Sequence, residues 1–322
     1  MKKLTVLALL YYLAFAGALA SAQDRVRIGV PLFPTVSYPV LIAHEKGFFD
    51  KNGLKAEIIR INSEPTTYQA LISGDIDATS GAPTGLVQSN LQGIPVTSLG
   101  SWDNLVSYTV MTKDKIDDLS QLRGKKIGIN RLGGKSSLVL RVMLEDAGLN
   151  TAKDVTLLQL GGSQERLAAL LRGGIDAAPV DFAFEPKMKQ LGFHLVPSKK
   201  TAFMNGPITV TVANLKANRG KWLRFVKANM EATYYMTVNK SGAMDVLKKI
   251  IQSDDRETLE HAYEQMRARA TVDLIAPDAA IENLVKMMTY VDKRAAGIDR
   301  GKLTDYSIVR ELIQSNTVPV KR

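Results

Sequence analysis

The sequence predicts an α/β fold of two βαβ-type lobes facing each other across a cleft, with a helical C-terminal segment packing on the first lobe. Three observations carry this. A strand and helix layout occurs twice at an offset of 99 residues, strands alternate with helices of ten or so residues inside each copy, and only amphipathic helices follow Lys216. Strands alternating with helices imply parallel sheets covered on both faces.

The first copy opens with Arg27-Ile28-Gly29-Val30 and the second with Lys126-Ile127-Gly128-Ile129. A helical stretch follows each strand, Val40 to Phe49 and Ser137 to Ala147, ended by Gly53-Leu54 and Gly148-Leu149. Glycine just past the last turn is a helix stop. Apolar strands come next at Ala56 to Ile61 and Val155 to Leu160, then amphipathic helices with Ser63 and Ser163 at expected N-cap positions. These helices end at Gly74-Asp75-Ile76-Asp77 and Gly173-Gly174-Ile175-Asp176, in the same register.

Two stretches read as crossings between lobes: Val96 to Thr112, and Pro207 to Ala213 with its strand alternation. A tail of helices after the second crossing must return to the first lobe, which makes that lobe discontinuous. The expected domains are therefore residues 23–110 plus 205–322 for lobe 1 and 111–204 for lobe 2. Residues 1–22 read as a signal peptide: Lys2 and Lys3, an apolar run from Leu4 to Ala20, and two overlapping small-residue cleavage patterns, after Ala20 or, preferred, after Ala22. This predicts a periplasmic protein.

Cysteine is absent, which excludes a disulfide framework, thiolate metal sites and a cysteine nucleophile. Removing the leader leaves 300 of the 322 residues, enough for two cores, and lowers the net charge from +10 to +8. A basic exported protein raises the local concentration of small anions, and export rules out nucleic acid as its target. His44, His194 and His261 are isolated and stand in no metal-ligand spacing, and no Gly-x-Ser-x-Gly elbow occurs. The expectation is a protein without catalytic residues, metal or cofactor.

Ala43-His44-Glu45-Lys46-Gly47-Phe48-Phe49 with Gly53-Leu54, the run from Ala70 to Asp77, and Leu119 to Gly128 resemble the periplasmic solute-binding proteins for nitrate, sulfonates and taurine. The binding proteins for thiamine-pyrimidine precursors belong to the same broad group. The resemblance covers nearly all of the chain past the leader. It implies a type II periplasmic-binding-protein fold that feeds an ABC transporter permease in the inner membrane, working as a monomer on a small-molecule ligand. The expected function is high-affinity capture of a small anionic organic solute, of sulfonate or carboxylate type. Alternatives are a ligand-sensing module for a membrane receptor and a binder of a neutral pyrimidine-like heterocycle. The group also includes an intracellular synthase that relies on a cysteine-rich stretch and a lysine-bound cofactor, and this chain has no cysteine.

Open α/β sheets bind ligands at the carboxyl ends of their strands, so the loops there supply the candidates. After the first strand stand Phe33, Thr35 and Tyr38, offering an aromatic wall and hydroxyls, and after the third come Ser80 and Gly81, where backbone amides face a helix start. The equivalent loop of the second lobe, Asn130 to Ser137, adds Arg131, Lys135, Gly134, Ser136 and Ser137 and is the best anion-site candidate in the chain. It ends like a phosphate-binding P-loop, but the required glycine falls at Ile129. Arg131 stands nearer the strand end than Lys135 and offers paired donors to a planar oxyanion. Asp181 either caps the next helix and neutralises Arg131 or accepts from a ligand amine. Trp102 either stacks on a ligand or packs in the core, and Asn205 lines the hinge.

Overall fold

The computed structural model describes residues 23–31, 35–61, 63–81, 83–106, 108–197 and 201–318. The leader and Phe33 lie outside the described residues. In chain order the elements are β1 (Asp24–Val30), α1 (Tyr38–Glu45), α2 (Phe48–Lys51), β2 (Leu54–Arg60), α3 (Glu64–Ser73), β3 (Ala78–Ser80), α4 (Pro83–Leu91), β4 (Val96–Ser101), β5 (Tyr108–Thr112) and β6 (Lys126–Ile129). There follow α5 (Lys135–Asp146), β7 (Thr156–Gln159), α6 (Ser163–Leu171), β8 (Ala177–Asp181), α7 (Glu185–Gln190), β9 (His194–Val196) and β10 (Pro207–Thr211). The tail comprises α8 (Val212–Ala217), α9 (Arg219–Val238), α10 (Lys240–Ile251), α11 (Arg256–Arg269), α12 (Asp278–Met288) and α13 (Ser307–Gln314).

Two five-stranded sheets result, ordered β2-β1-β3-β10-β4 and β7-β6-β8-β5-β9. They share one plan: parallel strands with a single antiparallel strand inserted fourth. The inserted strands, β10 and β5, are the ones that enter from the other lobe, so they run opposite to their neighbours and make each sheet mixed where the sequence suggested parallel ones. Tyr108 to Val110 pair within the second sheet, so the stretch expected as one crossing holds two strands and a short link between Ser101 and Tyr108.

The duplication holds in atomic detail. The Arg27 backbone N–H donates to Asp77 Oδ2 and that of Lys126 to Asp176 Oδ2, both at 2.8 Å. A Cβ on Gly29 would lie 2.6 Å from Ile76 Cδ1, and one on Gly128 2.7 Å from Ile175 Cδ1. Each glycine lets the isoleucine ahead of the paired aspartate close over the first strand. The copies differ at the caps: Ser63 is the N-cap residue of α3 without a side-chain bond, whereas Gly162 caps α6 and Ser163 is its first residue.

The tail packs on lobe 1, where Phe225 of α9 stacks on Phe49 of α2 at 5.1 Å. It also reaches lobe 2, with α12 touching both α4 and α5 and α11 meeting α7 and the 3-10 turn Phe182–Phe184. The crossings run side by side, joined by Phe203 N–H to Asn104 O (2.9 Å) and Val106 N–H to Thr201 O (3.0 Å). Arg269 clamps the first crossing through the Asp103 carboxylate at 3.0 Å and the carbonyls of Leu105 and Val106.

Candidate functional site

The carboxyl ends of both sheets converge on one inter-lobe cavity of about 510 Å³. From lobe 1 it is lined by Thr35 and Val36 after β1, Ser63 and Glu64 after β2, and Thr79 to Gly81 at the end of β3. From lobe 2 come Asn130, Arg131 and Lys135 after β6, Gly161 to Ser163, Glu165 and Arg166 after β7, and Asp181 at the end of β8. Tyr108 lines it too: β5 is antiparallel, so its first residue stands beside Asp181, the last of β8. A cavity of this size suits a small organic molecule. A groove of about 820 Å³ lies at the opposite pole of lobe 1, around the amino end of β4 and Lys216, Lys302 and Arg310, away from the converging strand ends.

The lobes already touch across the cavity. Thr35 Oγ1 donates to Asp181 Oδ2 at 2.9 Å, while Asp181 Oδ1 accepts from Ala183 N–H at 3.1 Å and so caps the following turn. Burial pushes the Asp181 carboxyl above its ordinary value, against the bonds from Ala183 and Thr35 and the attraction of Lys135 and Arg269. Some of the residue's surface stays open to the cleft, but protein surrounds the carboxylate closely, and that enclosure sets the direction.

Among the other expected residues, Ser80 and Gly81 line the cavity. Gly81 has φ +89°, and a Cβ there would strike Val36 Cγ2 at 2.3 Å. Ser80 Oγ is buried and has no hydrogen-bond partner among the described residues. Arg131 is half-buried on the cavity wall; its carbonyl accepts from Gly134 N–H at 3.1 Å, while its guanidinium forms no hydrogen bond or ion pair among the described residues, leaving the fork available. Gly134 is the N-cap of α5, where a Cβ would meet the Asn130 amide at 2.5 Å.

Tyr38, Trp102, Gly134, Ser136, Ser137 and Asn205 do not line the cavity. Tyr38 is the first residue of α1, turned into the lobe 1 core, where its hydroxyl donates to Ala243 O. Trp102 is buried in the same core, its indole N–H donating to Val36 O at 2.6 Å, so packing, not stacking on a ligand, accounts for it. Ser136 Oγ donates to Asn130 Oδ1 at 2.7 Å and accepts the Asn130 N–H, bracing the loop from behind, and Ser137 is buried in α5. Asn205 is buried in the second crossing, donating to Asp103 and accepting from Lys135 Nζ at 2.8 Å.

Sequence reasoning ranked one wall residue, Lys135, too low and missed others, Tyr108 and Arg166 among them. Lys135, read as the weaker cation, reaches across to Asn205 and stands 5.2 Å from the Tyr108 ring. Tyr108 supplies an aromatic surface in the cleft. Arg166 is buried, donating to Pro179 O (3.0 Å), Gly161 O (2.6 Å) and Ser163 Oγ (3.0 Å). Burial pushes its guanidinium below the usual arginine value, against the pull of Tyr108, Glu165 and Asp181. The cavity thus carries Arg131, Lys135 and Arg166 on lobe 2, opposed by Glu64, Glu165 and Asp181.

Solved periplasmic binding proteins have the same fold. The Escherichia coli periplasmic aliphatic sulphonate binding protein superposes with a TM-score of 0.69 at 17% identity, over 84% of this chain and 93% of its own. The nitrate-binding protein of Synechocystis superposes with 0.68 at 16%, over 92% and 90%. In sequence, a Haemophilus influenzae protein provisionally named for thiamine biosynthesis is 29% identical over 63% of this chain and 66% of its own length. A 4-amino-5-hydroxymethyl-2-methylpyrimidine phosphate synthase of Aspergillus parasiticus is 30% identical, over 43% of this chain and only 40% of its own. A Brucella abortus protein provisionally named a binding protein is 26% identical over 79% and 80%. The NMT1/THI5-like family matches residues 35–243, a span that holds every strand of the two sheets except β1 together with both crossings, and the chain belongs to that family.

Proposed function

We propose that this protein captures a small anionic organic solute between its lobes in the periplasm and delivers it to an ABC importer, without chemistry of its own. One observation carries the reading: strand-end loops of both lobes build one cavity between them, and one wall of it holds Arg131, Lys135 and Arg166. Arginine forks suit carboxylate or sulfonate oxygens, and a ligand touching both walls favours the closed arrangement that a permease recognises. In this reading residues 1–22 are the export leader and lobe 1 joins the chain from residue 23 as far as the link before Tyr108, where β5 enters the second sheet, to residues 205–322. Among the described residues no helix is long and apolar enough to cross a membrane.

A second reading, a neutral pyrimidine-like heterocycle, draws on Asp181 and Glu165 as acceptors for an exocyclic amine and on Tyr108 as a stacking surface. The test is a thermal-shift screen of refolded protein, stripped of bound solute, against sulfonates, carboxylates, nitrate, amino acids and pyrimidines. A ligand at 100 times its dissociation constant adds about 2.7 kcal/mol. A shift with sulfonates or carboxylates supports the anion, whereas a shift confined to pyrimidines replaces it.

A further inference from the structure

Aligning the two copies at their shared offset sets Thr67 of α3 against Arg166 of α6. The alignment is structural as well. Thr67 Cγ2 lies 3.2 Å from the Cβ position of Gly29, and Arg166 Cγ lies 3.6 Å from that of the matching Gly128. The scaffold at this position is satisfied by a threonine, whose hydroxyl donates to Ser63 O at 2.9 Å. Lobe 2 holds a cation there, 1% exposed, that lines the cavity. Its N–H groups go to two carbonyls and a hydroxyl, and among the described residues none reaches a carboxylate. Glu165 and Asp181 line the same cavity and attract the guanidinium, but neither forms an ion pair with it among the described residues. Buried charges in folded proteins are paired, because leaving a charge uncompensated is costly. Across the cavity, the buried Ser80 Oγ also has no partner among the described residues.

We infer that Arg166 is the specificity-determining residue for the ligand's charge, its guanidinium pairing with an oxyanion group of the solute while Ser80 Oγ bonds the solute from lobe 1. This rests on the anion reading above. It adds a division of labour: the second lobe, by departing from the shared repeat at one position, holds the cation that pairs with the solute, and the first supplies the Ser80 hydroxyl. Glu165 and Asp181 attract the guanidinium only from a distance, so the oxyanion supplies the direct ion-pair partner that neither of them provides.

The experiment compares wild type, Arg166→Gln and Ser80→Ala by isothermal titration against benzoate and its neutral isostere benzamide, and against ethanesulfonate. Wild type is expected to prefer at least one anion over the neutral probe. Arg166→Gln is expected to weaken that anion by about 100-fold and erase the preference. Ser80→Ala removes a hydroxyl with no partner, so it tests the site without disturbing the fold; about a tenfold loss is expected, at an unchanged melting temperature. Retained anion preference in Arg166→Gln, or unchanged affinity in Ser80→Ala if Arg166→Gln does not fold, overturns this inference and leaves the anion reading standing. Failure of wild type to bind any of the anions overturns both.

Discussion

Thr35 Oγ1 of lobe 1 donates to Asp181 Oδ2 of lobe 2 at 2.9 Å, so the two walls of the cleft are joined at the ends of their first and third strands. Burial of the Asp181 carboxyl at this joint, which outweighs the bond from Thr35, makes stability depend on pH. Asp181 is raised from the ordinary carboxylate value of 3.8, so above that value the folded protein holds a proton that the unfolded chain releases. Stability then falls as pH climbs through the window between 3.8 and the raised value, and the cost of the buried charge is complete above it. Asp181→Asn removes this cost: urea unfolding across pH is expected to show a difference from wild type that vanishes below pH 3.8 and grows upward. A pH-independent difference contradicts the assignment.

Asp77 has the opposite sign. Burial raises it, but the Arg27 backbone and side chain and Lys221 outweigh that and hold it below 3.8. Its contribution is present above the ordinary value and disappears as pH falls through the depressed one. Asp77→Ala is expected to cost about 2 kcal/mol at neutral pH. Asp176→Ala, which removes an exposed partner of the Lys126 N–H alone, is expected to cost about 1 kcal/mol. Denaturant midpoints at pH 7 separate the two.

At the hinge, Arg269 and Asp103 form a nearly buried ion pair at 3.0 Å, with the crossing's carbonyls as additional acceptors. Removing one partner leaves a charge uncompensated, so Arg269→Ala is expected to destabilise by about 3 to 5 kcal/mol. The double change Arg269→Met with Asp103→Leu should restore part of this loss in a chemical unfolding series.

The corrected aromatics give a contrast. Tyr38→Phe loses a buried bond to Ala243 O and is expected to cost about 1 kcal/mol while leaving solute affinity unchanged. Tyr108→Ala, in the cleft wall, is expected to lower affinity at nearly constant stability; the same titration and melting experiments read both.

The lobes were legible because βαβ alternation and the repeated glycine and aspartate positions are local, and Gly29 with Ile76 in one copy answers to Gly128 with Ile175 in the other. The loops after the strands were also legible, since Thr35, Ser80, Gly81, Arg131 and Asp181 all line the cavity. Direction within a turn was not. Tyr38 comes two residues after Val36 of the cleft and Trp102 directly after β4, yet each turns inward where a carbonyl, Ala243 O or Val36 O, satisfies its polar end. Two signals were present but unread. The inserted strand β5 runs antiparallel, so its amino end, Tyr108, belongs with the carboxyl ends of its neighbours. And the repeat sets a threonine against Arg166, a difference that packing alone does not require.

The most direct test of the anion-capture account is an isothermal titration of refolded wild type and of Arg131→Ala with Arg166→Gln, using the anion that gives the largest thermal shift. The account predicts one anion per wild-type chain and no measurable binding to the double variant at the same concentration. Equal binding by both proteins would place the anion elsewhere and contradict it.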